Sequence, residues 1–280
     1  MTMPEGILTV SLNAAVDVSY RADGFGAGKI NSVSDVTRAA GGKANNVARV
    51  LVSLGQHVVA TGFAGGAAGE FIKADQAHSG VRADYEAIAG ENRTCTVVVD
   101  PVGHTLTEVQ EKGPTITAAE ADRFLTRFRR LVREAELVII AGSLPPGIPA
   151  GFYGRLVSEA YRVTQVRTLL DASGQALKEA IPAQPYFVKP NKEELEEWAG
   201  TELDNDDAIL DAAQRLMDAG PLVVAVSLGK DGLLQGLTAD EVLRLAVGCG
   251  TANALTDTVA LVRQADLDRI RLQVTIQRVR

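Results

Sequence analysis

Residues 136–149 read ELVIIAGSLPPGIP. An apolar run without alternation ends in a glycine and a serine, and a proline-rich loop follows. A run of this length bounded by turn residues is a strand buried on both faces. The same grammar recurs in ILTVSL (7–12), HVVATGF (57–63), TLLDAS (168–173), YFVKPN (186–191) and LVVAVSLG (222–229). Helical stretches lie between them. Asn45–Gly55 sets Val47, Val50, Leu51 and Leu54 at helical spacing and stops at a glycine. Thr117–Ala135 opens with T-A-A-E, a capping box, and its charged face suits a surface helix. Further helices are predicted near 149–162, 173–181, 191–199 and 205–219. Strand, polar loop and helix in regular turn predict an α/β fold with a mostly parallel central sheet and helices on both faces.

The chain has 280 residues, long enough to bury a large core without a disulfide or metal staple. The pattern runs through it without repeats or low-complexity breaks, so one domain over 1–280 is expected. Hydrophobic residues make up 46% and charged residues 22%, which excludes whole-chain disorder and coiled coil. Net charge is −7, which disfavours nucleic acid and anionic membrane as partners, because phosphate binding is largely electrostatic. Two cysteines and three histidines form no CxxC or Cys/His cluster, so no structural zinc site is expected. Two thiols fit a reducing compartment. MTMPEGILTV has no basic start and no long apolar run, and no apolar run approaches a membrane span. A cytoplasmic protein is the expectation.

Two segments break the pattern. Residues 18–40 and 92–110 are β-like but polar and alternating, and NRTCTVVVD and HTLTEV are separated by the turn signal PVG. They form either an extra edge hairpin or a small β lid over a ligand cleft.

In open α/β sheets ligands bind at the carboxyl ends of strands. Five strands here end in polar or glycine-bearing loops: Asn13–Asp17, Gly142-Ser143, Asp171, Lys189-Pro190-Asn191 and Ser227-Leu228-Gly229. GGKANN (41–46) opens a helix, whose N–H groups attract anions beside Lys43, or it is simply a turn. It is not a Walker A loop, since Thr37 and Ala44 fail at both ends. GFAGGAAGEF (62–71), with Asp84 and Glu86 downstream, imitates a dinucleotide fingerprint. The phase that fits puts Ala64 at the first glycine, so a tight strand–helix turn is the safer reading. NKEEL (191–195) sets Asn191 and Glu194 on one helix face, fit either to hold water around Mg²⁺ or to cap the helix.

Taken together, LNAAVD, AGGKANNVARVL, TEVQEKGP, AGSLPPGIP, LDASG, VKPNKEEL, VSLGKDG and CGTANALT occur in order over residues 6–256. This series resembles the ribokinase-like, or phosphofructokinase-B, sugar kinases, in their 1-phosphofructokinase and tagatose-6-phosphate kinase branch. The resemblance implies a ribokinase-like α/β sandwich with a β lid, ATP and Mg²⁺ as cofactors, a ketohexose phosphate as partner, and a homodimer through the lid. It implies that Asp17 holds sugar hydroxyls, that Gly41, Gly42 and Asn46 form the sugar-binding turn, and that Ser143 lies near the sugar. Lys29, Lys43 and Arg93 resemble the basic residues around the sugar phosphate. Lys189, Ser227, Gly229 and Asn253 match nucleotide-side positions, and Asn191 and Glu194 match the metal-water segment.

Departures from the family pattern also carry information. Ala14, Ala44, Gln110 and Lys112 replace residues usual in the family. More seriously, the family continues after its SLG loop through a hairpin into a GAGD loop that opens a helix. The Asp of that loop is the base, and its N–H groups bind the transferred phosphoryl group. No GAGD or GxGD occurs in this chain. Gly232 runs into LLQGLTADEVLRLAVGCGTANALT, which resembles the end of that helix and the next one, with Thr238 and Glu241 as a capping box. The missing piece corresponds to roughly 30–40 residues at average element lengths. A general base contributes about 10²–10⁴-fold and a preorganised anion donor about 10²–10³-fold, so turnover is expected to be very weak or absent. A non-catalytic sugar-phosphate-binding protein is the alternative.

Overall fold

A computed structural model describes residues 6–229, 233–235 and 264–271. Thr238, Glu241, Cys249, Asn253 and Asp257 lie outside the described residues.

The main sheet grows outward from β1 (Ile7–Ser11), buried along its whole length. β1 pairs in parallel with β4 (Val58–Ala64) on one side and β9 (Leu137–Ala141) on the other. Beyond β9 come β10 (Arg167–Asp171), β11 (Phe187–Val188) and β12 (Val223–Ser227), all parallel. β5 (Arg82–Ala83) and β6 (Glu86–Ala87) flank β4. β13 (Leu233–Gln235) closes the far edge antiparallel to β12. Its pairing corrects the reading of Leu233 onward as helix: Leu233–Gln235 takes up the open edge of β12 instead.

Alternate residues of the strands feed two cores, as a period of two requires. Leu8 and Val10 of β1, with Val138 and Ile140 of β9, meet α3 (Ala118–Val132), α4 (Phe152–Thr164), α5 (Gly174–Ala180), α6 (Lys192–Ala199) and α7 (Asp206–Asp218). Phe63, Phe124 and Phe128 lie at the centre of that core, with ring centroids 5.0 and 6.2 Å apart. Ile7, Val58 and Ala60 meet α1 (Lys43–Ser53) and α2 (Gly66–His78) on the opposite face. The capping box expected at Thr117 and Glu120 is present with both reciprocal bonds. A last helix, α8 (Gln264–Arg271), buries Leu267.

β2 (Ala15–Arg21), β3 (Asp35–Gly41), β7 (Arg93–Asp100) and β8 (Thr105–Gln110) form a second, separate sheet in the order β3-β2-β7-β8. They are therefore not an edge hairpin of the main sheet. Val16, Val18 and Ala40 pack into the core that also holds Ile72 of α2, leaving the opposite face of this sheet turned toward the strand ends. Asn92 fixes the junction. Its Oδ1 accepts from Gly65 N–H at 2.7 Å, and its Nδ2 donates to Phe63 O and Ala14 O.

Candidate active-site cleft

Sheet order reverses at β1. The chain first builds toward β4 and β5, then returns to add β9 through β12 on the other side. Such a switch point opens a crevice at the carboxyl ends of the two flanking strands. The loops leaving β1 and β9 are joined there by Asn13 Nδ2 donating to Ser143 Oγ at 3.0 Å. Tyr153, fully buried in α4, donates its hydroxyl to Gly142 O and Ser143 O and so holds the second loop in place.

Above this crevice lies the free face of the small sheet, and a cavity of about 760 Å³ separates the two. Asp17, Gly42, Lys43, Asn46, Arg93 and Ser143 all line it. Register explains the roof: Ala39, Asp17, Cys95 and Gln110 are direct cross-strand partners, as are Thr37, Ser19, Val97 and Glu108 one step along. Gly41 stands behind Asp17, where a Cβ would lie 2.0 Å from its carboxylate. Gly42 adopts φ +100° as N-cap of α1, turning the chain from β3 into the helix. Lys29, on the exposed β2–β3 connection, is not among the residues lining this cavity.

Burial pushes the Asp17 carboxyl above its ordinary value, while the guanidiniums of Arg49 and Arg93 pull it back. Arg49 has a further role. Largely buried, it donates to Ala40 O, gives Asn46 Oδ1 a 2.7 Å bond and pairs with Asp75 at 3.6 Å. Its bond to Asn46 Oδ1 leaves the Asn46 amide N–H groups for the cavity. Burial also raises the Cys95 thiol.

The remaining predicted residues lie along the same row of strand ends. Lys43 Nζ and Lys189 Nζ approach Asp171 from either side, at 3.0 and 3.7 Å. Lys43 therefore serves the β10 end of the cleft. Asn191 and Ser227 form a parallel bridge, and Ser227 N–H donates to Pro190 O, aligning the ends of β11 and β12. Asn191 and Glu194 form a complete capping box: Asn191 Oδ1 takes Glu194 N–H at 2.7 Å and Glu194 Oε2 takes Asn191 N–H at 2.9 Å. Glu194 Oε1 carries no bond of that box, so this pair can orient one metal-bound water but is no cage. No group of three His, Cys, Asp or Glu side chains able to hold a metal occurs among the described residues.

The dinucleotide imitation fails on geometry. The N-terminus of α2 is taken by Glu91 Oε1 on Ala68 N–H and by Asn92 on Gly65 N–H. Asp84 is paired with Arg127 and Arg130, and Glu86 with Arg123 and Arg127.

Residues 8–254 match the family described as pfkB family carbohydrate kinase. The chain belongs to that family of sugar kinases. Among solved structures, a Staphylococcus aureus protein described as a phosphofructokinase is 27% identical, with a TM-score of 0.79 over 96% of this chain and 97% of that one. Escherichia coli phosphofructokinase-2 in complex with fructose-6-phosphate is 24% identical, with a TM-score of 0.86 over 96% and 99%. A Thermotoga maritima protein described as a possible 1-phosphofructokinase is 23% identical, with a TM-score of 0.83 over 99% and 100%. The ribokinase-like α/β fold expected from the sequence is the fold observed. Among the described residues no helix is long and apolar enough to cross a membrane.

Sequence reasoning passed over Arg49, Ser19, Thr37, Cys95, Glu108 and Gln110. Two of these had a signal: Ser19 follows Asp17 at the strand period of two, and Arg49 follows Asn46 at the helical i,i+3 spacing. The others depend on which strands pair.

Proposed function

We propose that the cleft binds a phosphorylated ketohexose (fructose 6-phosphate, fructose 1-phosphate or tagatose 6-phosphate) and that the chain descends from kinases that phosphorylate it from ATP. The convergence of Asp17, Asn46, Arg93 and Ser143 on one cavity at the switch point carries this reading. Carboxylate and amide match sugar hydroxyls, and a guanidinium matches phosphate. ATP would lie along the ends of β10 to β12, with Lys189, Ser227 and Gly229 beside its phosphates and Asn253 beside its base. Mg²⁺, when bound with the nucleotide, neutralises phosphate charge. Glu194 would orient its water, and Lys43 and Lys189 would hold Asp171 at the transfer end.

Turnover is the step this chain lacks the means for, since no GAGD or GxGD occurs in it. In a coupled ADP-release assay with the three sugar phosphates, the expected result is background. Normal turnover on any of them would show that another residue acts as base and would overturn the impairment. Retention of the cleft residues supports the second reading, a non-catalytic sugar-phosphate-binding protein. Calorimetry detecting no sugar-phosphate binding to folded protein would remove both. A homodimer through the small sheet accords with its exposed Val36, Val102, Leu106 and Val109. Sedimentation showing only monomer would exclude it.

A further inference from the structure

β3 is an edge strand of the small sheet and pairs with β2 alone. Its outward peptide groups face no strand, which ordinarily leaves them to water. At Ala40, where β3 runs into the turn below the cleft, side chains of the main body take both. Asp75 Oδ2 on α2 accepts the Ala40 N–H at 2.7 Å, and Arg49 Nη1 on α1 donates to Ala40 O. The two side chains pair with each other at 3.6 Å, with 25% and 10% of their surface exposed. An acceptor and a donor meeting one residue's N–H and C=O are what a neighbouring antiparallel strand would supply.

A second line holds the next peptide group. Tyr85, buried between β5 and β6, donates its hydroxyl to Asn45 Oδ1 at 2.7 Å. Asn45, wholly buried, donates from Nδ2 to Gly41 O at 2.9 Å. Gln76, beside Asp75 on α2, donates to Asn45 O at 3.3 Å. The turn gripped in this way is Gly41-Gly42, two residues with little conformational preference of their own. It delivers Asn46, whose Oδ1 takes Arg49 Nη2. None of Asp75, Gln76 and Tyr85 lines the cleft.

We propose that Asp75 is a positioning residue for the sugar end of the cleft. With Arg49 it stands in for the missing strand beside β3, and so fixes the Gly41-Gly42 turn and the direction of the Asn46 amide. Arg93 is held separately, by Asn13 O and Glu111 O, so α2 governs hydroxyl recognition and leaves anion binding alone. The role rests on the sugar-phosphate reading for what Asn46 touches, whereas the clamp on Ala40 does not.

Two measurements on the full chain test this. In amide exchange followed by NMR, the Ala40 N–H should be protected about tenfold or more beyond that of Arg38, the next outward N–H on the same edge, because its acceptor is charged. Equal protection in the wild type overturns the clamp, whether or not any variant folds. Calorimetry with fructose 6-phosphate and with inorganic phosphate reads the positioning. Asp75→Ala should lose about tenfold for fructose 6-phosphate and nothing for inorganic phosphate, but about twofold or less where Asn46→Ala is already present. Asp75→Asn keeps an oxygen for the Ala40 N–H and should bind fructose 6-phosphate within about twofold of the wild type. Unchanged affinity in Asp75→Ala, an equal fall for inorganic phosphate, a loss undiminished beside Asn46→Ala, or an Asp75→Asn as weak as Asp75→Ala would each overturn the proposal. A wild-type chain that binds no fructose 6-phosphate removes the sugar-phosphate reading and the positioning role with it, while Ala40 protection still decides the clamp.

Discussion

Asn13 and Ser143, 130 positions apart in the chain, are joined by a 3.0 Å bond from Asn13 Nδ2 to Ser143 Oγ. That bond ties the ends of β1 and β9 together where the sheet order reverses. The same amide nitrogen donates to Lys112 O, so one buried side chain links both walls of the crevice to the segment that follows the small sheet.

Replacing Asn13 with Ala removes both bonds and leaves Lys112 O short of a partner. The expected loss is about 1–3 kcal/mol of stability in urea unfolding, with weaker sugar-phosphate binding than in Ser143→Ala, which loses one bond. Equal effects of the two substitutions would assign no linking role to Asn13.

Gly41→Ala would place a methyl 2.0 Å from Asp17 Oδ1. Either Asp17 or β3 must move, at an overpacking cost of about 1–3 kcal/mol. Because Asp17 lines the cleft, sugar-phosphate affinity should fall about tenfold, equal to about 1.4 kcal/mol. Calorimetry beside thermal melting separates the two effects. Unchanged affinity would show that Asp17 does not touch the ligand.

Arg49→Gln removes the partner of Asp75 and the bond to Asn46. Loss of a largely buried charge partner costs about 3 kcal/mol. The electrostatic consequence falls on Asp17. Arg49 opposes the rise that burial imposes on its pKa, so the variant raises it further. Asp17 would then take up its proton at a higher pH. Sugar-phosphate binding that uses its carboxylate should be lost at a higher pH than in the wild type, as read from affinities measured between pH 4 and 8. A coincident pH profile would remove Arg49 as a positioning residue.

Glu159 receives Arg129 and Arg162, and their hydrogen bonds draw its carboxyl down from 4.5 to about 2. A depressed carboxyl stabilises the fold above its unfolded pKa and ceases to as pH falls toward its folded one. Glu159→Gln should therefore melt earlier at neutral pH, by an exposed network's about 1 kcal/mol. That gap should close between pH 4.5 and 2, and a gap constant with pH would contradict the pairing.

Much of the fold was legible in the sequence, because its signals are local. ELVIIAGS predicts a buried strand from its apolar run alone, and T-A-A-E predicts the cap of α3 from the residues that make it. The polar, alternating segments 18–40 and 92–110 were legible as β but not as a separate sheet. Edge pairing and independent pairing demand the same alternation. The spacing of Asn191 and Glu194 does not separate capping from metal water for a similar reason: one spacing serves both, and only the reciprocal bonds show which atoms are already committed.

The order of strand-end motifs determined by itself that this is a kinase-family α/β chain, since each motif is a short continuous run whose chemistry needs no distant partner. Which side chains face one another across the cleft was decided only by tertiary structure. Cys95, Gln110 and Ala39 join Asp17 through strand register, Asn13 accepts from Arg93 and donates to Lys112 O, and Lys43 is drawn to Asp171 from 128 positions away. Pairing register and ion-pair choice depend on separations in space that no local spacing encodes.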